Sequence, residues 1–201
     1  VRGNAWPWVD VTNMLVTAPS IAGPWSDPVP LHGRGIDPAL FHDHDGRSWL
    51  LSNDIDFRPG RRRSTGIIMQ ELDLPTRRLV GPVHRLLPPG IGGPGIEGPQ
   101  LYQRGGWYYL VVADGGTGYE HRADVYRAST LLGPYVPSPH NPLVSAAHDP
   151  AWPLQKAGHA SWTRAADGRW WTAFLVARPR GRRCVLGRET AVAPLVFTND
   201  D

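Results

Sequence analysis

The sequence predicts an all-β fold, on two observations about its turn residues and its apolar segments. The 201 residues include 23 Gly and 21 Pro, a frequency that disfavours long helices. The apolar segments are short and rich in aromatic and β-branched residues, as in residues 107–112, which read WYYLVV between two Gly-Gly pairs. Such a segment is typical of a β-strand bounded by turns. With 41% hydrophobic residues, the chain is long enough to bury a substantial core.

A layout of about 60 residues occurs three times along the chain. Asp37, Glu97 and His159 lie 60 and 62 residues apart, and each is followed nine residues later by a glycine and then by an aromatic-rich segment. A Gly-Pro pair followed by a large residue gives a second marker, at residues 23–25, 81–83 and 133–135. Repeats of this length, made of short strands and Gly/Pro turns, indicate the blades of a β-propeller.

The first strand of each propeller blade lines the central axis, so that equivalent residues of successive blades meet there. Asp37, Glu97 and His159 are therefore expected to face one cavity. The alternative is that Asp37-Pro38 and Glu97-Gly98-Pro99 only form turns at strand starts, and for any one of them alone this alternative is favoured. Three titratable residues in register favour a shared site instead.

Six short motifs follow one another along the chain. They are GIDPALF at 35–41, DHDG at 43–46, IEGP at 96–99, GGT at 115–117, KAGHA at 156–160 and LGRET at 186–190. In this order they resemble the motifs of glycoside hydrolase family 43, and most closely those of its β-xylosidases, over essentially the whole chain. The resemblance implies a five-bladed β-propeller, here about three blades plus part of another. It also implies hydrolysis of xylosides or arabinofuranosides with inversion, with no cofactor required.

The resemblance assigns roles to four residues. Glu97 corresponds to the general acid, and Asp37 to the residue that orients the acid and raises its pKa, because a neighbouring negative charge disfavours ionisation. His159 and Arg188 correspond to substrate-binding residues. The base of the family lies in an Asn-Pro-Asp-Pro-like segment of its first blade. No such segment occurs in residues 1–201, and Asp10 has a different setting, so the base is expected to be missing from this chain.

His159 and Arg188 each have an ordinary structural alternative. His159 could be a core histidine held by hydrogen bonds. A divalent cation such as Ca²⁺ on the propeller axis near it is left open, and no metal ligand is assigned. Arg188 could instead form an ion pair with Glu189 or Asp167. Residues around the GGT motif are interpreted as supporting the site, namely Thr117, Tyr119, His121 and Arg127.

The repeat also predicts how the chain is divided. Residues 1–30 are interpreted as the tail of one blade, and units open near residues 37, 97 and 159, so that residues 1–201 form a partial propeller catalytic domain. Five such units need roughly 300 residues, and missing N-terminal blades or a homo-oligomer are expected to complete the ring. Two other functions stay open. One is a non-catalytic carbohydrate-binding propeller or remnant, which the missing base favours, and the other is an arabinanase-like endo-hydrolase.

Charge and composition restrict the partners. The formal net charge is +3, but the basic residues among positions 58–63 accompany Pro and Gly, which is typical of a solvated loop, so no nucleic-acid partner is expected. No apolar run of 18 residues occurs, so no membrane span is expected. The single cysteine, Cys184, suits a reducing compartment, and the expected location is the cytoplasm, with secretion left open. The expected partner is a xylo- or arabino-oligosaccharide.

Overall fold

The computed structural model describes residues 11–58, 64–90 and 95–198, which contain fourteen β-strands and no α-helix. The strands are β1 (Asn13–Leu15), β2 (Val29–His32), β3 (Ala39–His42), β4 (Ser48–Ile55), β5 (Ser64–Asp73), β6 (Arg78–Leu87), β7 (Glu97–Arg104), β8 (Trp107–Asp114), β9 (Arg122–Ala128), β10 (Val136–Pro137), β11 (Val144–Ser145), β12 (Gln155–Arg164), β13 (Trp170–Ala177) and β14 (Glu189–Leu195). None of the described segments is a helix able to cross a bilayer. Asp10 and the basic residues 61–63 lie outside the described ranges.

The strands form four antiparallel sheets, and this confirms the predicted all-β propeller fold of about three blades plus part of another. Strands β3 to β6 pair in chain order, and so do β7 to β10. The short strand β11 also pairs with β9, on the same edge as β10 but at the other end of β9. Strands β12 to β14 form a third sheet, and β1 and β2 form a two-stranded one. The first strands of the three larger sheets, in chain order, are β3, β7 and β12.

Neighbouring sheets bury apolar side chains between their faces. Strand β7 lies against β3 and β4, and β12 lies against β8 and β9. The central strands β4 and β8 are covered on both faces, which explains why β8 reads as an almost continuous apolar run rather than as an alternation. Between the β7–β11 sheet and the β12–β14 sheet, the Tyr102 ring stacks on the Trp162 ring with 5.0 Å between ring centroids. The Tyr102 hydroxyl accepts a hydrogen bond of 2.7 Å from the Trp162 backbone N–H. These contacts hold the first strands of successive blades side by side.

The first strand of each large sheet is irregular at the same ladder position. Two residues of the second strand that are two positions apart pair with two residues of the first strand that are three positions apart. The first strand thus carries one extra residue, which defines a β-bulge. On the first-strand side the paired residues are Ile36, which lies three residues before β3 begins, and Ala39; Glu97 and Gln100; and Gly158 and Ser161. Inside the bulges, Asp37, Gly98 and His159 share a left-handed backbone, with φ of 57°, 57° and 54°.

Asp37, Gly98 and His159 are therefore the equivalent residues of the three blades. The expectation that Glu97 lies in register with Asp37 and His159 is wrong by one residue. The spacing of nine residues to a glycine matches for another reason, because the β7–β8 turn contains two residues whereas the β3–β4 and β12–β13 turns contain five. From the left-handed residue to the end of the strand, β7 has one residue more than β3 and β12, and the glycine comes two residues earlier in its turn. Gly106 therefore lies eight residues after Gly98, and counting from Glu97 instead gives nine.

The Gly-Pro marker labels equivalent places at two of its three occurrences. Gly23-Pro24 and Gly133-Pro134 lie in loops and contain cis peptide bonds. Gly81-Pro82 lies inside strand β6. In both loops the glycine N–H donates to the backbone oxygen of the residue three positions earlier, so the pairs at 23 and 133 occupy matching connections, β1–β2 and β9–β10, whereas the pair at 81 does not.

Candidate active site

The bulges bring Asp37, Glu97 and His159 together although they are distant in sequence. One carboxylate oxygen of each acid and one imidazole nitrogen all lie within 4.8 Å of one another. All three side chains are half-buried. A bulge re-aims side chains that a regular strand would send alternately to its two faces. Holding Asp37 and His159 in the left-handed region costs on the order of 1 kcal/mol each, a cost that recurs at functional sites.

Asp37 is fixed by the blade that carries the acid. The backbone N–H of Gly98 donates a hydrogen bond of 3.0 Å to Asp37 Oδ2. Hydrogen bonds to an ionised carboxylate are about twice as strong as neutral ones. Asp37 is therefore tied to the residue that follows Glu97, so its carboxylate keeps a constant position relative to the Glu97 carboxyl.

The environment of Glu97 favours its protonated form. Burial raises the pKa of the Glu97 carboxyl above its ordinary value, and the negative charge of Asp37 raises that pKa further, while the positive charge of Arg188 lowers it. Burial is the larger cause, because the low-dielectric surroundings disfavour the charged form. A carboxyl that stays protonated towards neutral pH is suited to donate a proton to a leaving group.

His159 packs on the backbone of the acid-bearing blade. A Cβ atom added at Gly98 would collide with the Nε2, Cε1 and Cδ2 atoms of the His159 imidazole. Gly98 is also in the left-handed region, which glycine adopts without strain. The absence of a side chain at position 98 thus lets the imidazole reach the two carboxyl groups.

Gly98→Ala is expected to move the His159 imidazole and to destabilise the protein. The substitution adds backbone strain of on the order of 1 kcal/mol and a clash worth about 1–3 kcal/mol. The matched control is Gly105→Ala, because Gly105 has φ of 58° but no atom within 4 Å of an added Cβ. Thermal unfolding of the complete protein should show a larger loss for Gly98→Ala than for the control. Equal losses would mean that the contact with His159 imposes no constraint.

Arg188 lies next to the start of β14 and is exposed. Its positive charge lowers the pKa of Glu97 and that of His121, so it acts electrostatically on the carboxyl cluster. The two ion pairs considered as alternatives are absent within the described ranges. Glu189 accepts a hydrogen bond of 2.7 Å from Arg178 Nε, and Asp167 accepts one of 2.7 Å from Arg169 Nε. The Arg188 guanidinium is thus available to a ligand.

Asn53 supports the site and was given no role in the sequence analysis. Its side chain is buried, and its Nδ2 donates to the backbone oxygen of Ile96 at 2.6 Å and to Ser64 Oγ at 3.1 Å. Its backbone N–H donates to the oxygen of Ile36 at 3.1 Å. Asn53 therefore joins the residues that precede Asp37 and Glu97. The signal in the sequence was a polar residue inside a central strand that is otherwise buried.

Among the residues that the structure describes, Asp37, Glu97 and His159 are the group whose side chains lie close enough to bind one metal ion jointly. They offer two carboxylates and one imidazole nitrogen. Ca²⁺ takes six to eight oxygen ligands, and the burial of Glu97 favours its protonated form, which is a poor ligand. The set does not fit Ca²⁺.

Comparison with known proteins gives the same family that the motifs resemble. The family model described as Glycosyl hydrolases family 43 matches residues 5–201. Xylosidase/arabinosidase 43B of Humicola insolens is 43% identical over 194 residues, which cover 96% of this chain and 36% of that protein. Beta-xylosidase of Bacillus subtilis (strain 168) is 40% identical over 204 residues, which cover 96% of this chain and 38% of that protein.

A solved structure shows the same arrangement of strands. The crystal structure of xylan beta-1,4-xylosidase from Bacillus halodurans C-125 matches with a TM-score of 0.91 and 45% sequence identity, over 98% of this chain and 38% of that one. The chain therefore spans less than two fifths of the length of these relatives.

Proposed function

Since this chain belongs to glycoside hydrolase family 43, we propose that it forms the acid-bearing part of a glycosidase. The complete protein removes xylosyl or arabinofuranosyl units from xylan-derived oligosaccharides with inversion at the anomeric carbon. The reaction uses general acid and base carboxylates and needs no cofactor. The proposal is supported by the names of the relatives, a xylosidase/arabinosidase and a beta-xylosidase.

The observation that carries the proposal is the half-buried Glu97 carboxyl with its raised pKa, faced by the charge of Asp37. Cleavage of a glycosidic bond requires an acid that protonates the departing oxygen. Glu97 has the environment for this step. His159, which lies in the cluster, and Arg188, whose charge acts on the Glu97 carboxyl, are proposed to bind hydroxyl groups of the sugar at the same place.

The position of Asp37 bears on its role. Inverting enzymes keep their acid and base about 6.5–9.5 Å apart so that water fits between them. Oxygens of Asp37 and Glu97 lie within 4.8 Å of each other, which leaves too little room for the attacking water. Asp37 is therefore proposed to orient Glu97 and raise its pKa. The base is proposed to be a carboxylate that the described residues, 11–58, 64–90 and 95–198, do not place in this cluster.

The stereochemistry of the product tests this assignment. We expect the complete protein to hydrolyse aryl β-xyloside or aryl α-arabinofuranoside, with the inverted sugar as the first product seen by proton NMR during the reaction. First release of the retained anomer would contradict the proposal, since it would make Asp37 the nucleophile of a retaining enzyme. Tight binding of xylo-oligosaccharides without turnover would instead favour the non-catalytic alternative.

A further inference from the structure

His121 is a buried histidine outside the carboxyl cluster. It lies between β8 and β9, and 1% of its surface is exposed. Its Nδ1 lies 2.9 Å from the backbone oxygen of Lys156. A carbonyl oxygen can only accept, so Nδ1 carries the proton and donates this hydrogen bond. Burial, the largest cause, lowers the pKa of the His121 imidazole; the hydrogen bond to Lys156 raises that pKa, and the charge of Arg188 lowers it. His121 is thus held as a neutral donor to the next blade.

The His121 ring also packs on Gly158. A Cβ atom added at Gly158 would lie 2.8 Å from the Cδ2 and Nε2 atoms of the imidazole, too close for any side chain at that position. One side chain of the β7–β11 sheet therefore contacts two backbone sites in the segment that precedes His159. The contact and the hydrogen bond fix this segment from outside its own sheet.

The segment that His121 contacts is the irregular start of β12. The ladder to β13 is disturbed between Gln155 and Gly158 and again between Gly158 and Ser161. Lys156 and His159 both have a left-handed backbone, with φ of 56° and 54°. Two such residues within four are strained, and the neighbouring strand supplies few ladder hydrogen bonds here to hold them. A contact from another blade can hold what the ladder does not.

We infer that His121 is a positioning residue that holds the start of β12 so that the His159 imidazole meets Glu97 and Asp37. The route is a chain of direct contacts. His121 holds Lys156 and Gly158, His159 follows in the chain, and its imidazole packs on Gly98 beside the acid. The inference rests on the proposed function in so far as it treats the carboxyl cluster as the active site.

The test compares His121→Leu with His121→Asn in the complete protein. Leucine removes the donor, whereas the asparagine amide retains an N–H group near the position of Nδ1. His84→Leu is the control, because His84 lies on β6 and contacts Trp49 of the β3–β6 sheet, outside the carboxyl cluster. The imidazole signals of histidine-labelled protein report the environment of His159, whose signal is assigned by its loss in His159→Ala.

We expect His121→Leu to shift the His159 signal and to lower kcat about 10- to 100-fold, as displaced site residues do. His121→Asn should restore most of both, and His84→Leu should change neither. If His121 acts through His159, the double variant with His159→Ala should be no slower than His159→Ala alone. An unmoved His159 signal in His121→Leu, together with additive losses in the double variant, would overturn the inference.

Two further outcomes remain decisive. If His121→Leu does not fold, His121→Ala removes the donor without adding apolar bulk and is judged by the same signal. If the wild-type protein hydrolyses neither aryl glycoside, the proposed function fails, while the His159 signal still decides whether His121 holds the start of β12.

Discussion

Glu97→Gln in the complete protein should slow the hydrolysis of xylo-oligosaccharides about 10²- to 10⁴-fold, the usual contribution of a general acid. Glutamine keeps the size and the hydrogen-bonding shape of the side chain but cannot donate a proton to the leaving oxygen. Aryl glycosides with activated leaving groups need little protonation, so their rates should fall far less. The measurement is kcat/KM for a series of aryl xylosides of increasing leaving-group pKa.

Glu120→Gln is the matched control for this series. Glu120 is an exposed glutamate in the loop before β9, and its replacement should leave all the rates unchanged. A loss that is the same for good and poor leaving groups would remove Glu97 from the role of proton donor, even if the loss were large.

Asp37→Asn should move the basic limb of the pH–rate profile to lower pH and lower kcat about 10²-fold through misplacement of the acid. Glu97 acts in its protonated form, so activity falls as the pH rises through its pKa. The Asp37 charge raises that pKa, so removing the charge must lower it and shift the limb downwards. Burial of Glu97, the larger cause, remains, so the pKa should stay above its ordinary value. The profile is measured as kcat/KM against pH.

The asparagine variant is expected to fold, because asparagine tolerates the left-handed backbone that position 37 requires. Asp45→Asn, in the exposed β3–β4 turn of the same blade, is the control and should leave the profile unchanged. A profile for Asp37→Asn that is lower in height with both limbs in place would contradict the effect of Asp37 on the acid's pKa.

The sequence predicted the strands better than it predicted how they align. Central strands such as β8 are buried on both faces, so their apolar composition is visible without a structure. The bulges are set by ladder pairing between strands, and composition carries little sign of them. For this reason the repeat placed Glu97 one residue out of register, although the three polar residues do meet.

The electrostatics of the site were predicted in part. The resemblance attributed the raised pKa of Glu97 to the charge of Asp37, and the structure adds burial as the larger cause. Burial depends on how the start of β7 packs against its neighbours, which local sequence does not encode. The ion-pair partner of Glu189 also depends on strand packing rather than on local sequence. The pairing of Val176 with Glu189 across β13 and β14 brings Arg178 to this carboxylate, although Arg188 is adjacent in sequence.

The shared left-handed bulge has a consequence for transplanting this chemistry. Asp37 and His159 depend on a backbone twist that β-branched residues adopt only with strain, and the same twist at position 98 is occupied by glycine. Grafting an Asp, a Glu and a His onto the regular strands of another propeller would leave out the bulges that turn these side chains towards one another. The unit to be transplanted is therefore the set of three bulges at Asp37, Gly98 and His159, because the backbone of each bulge sets the direction of the side chains.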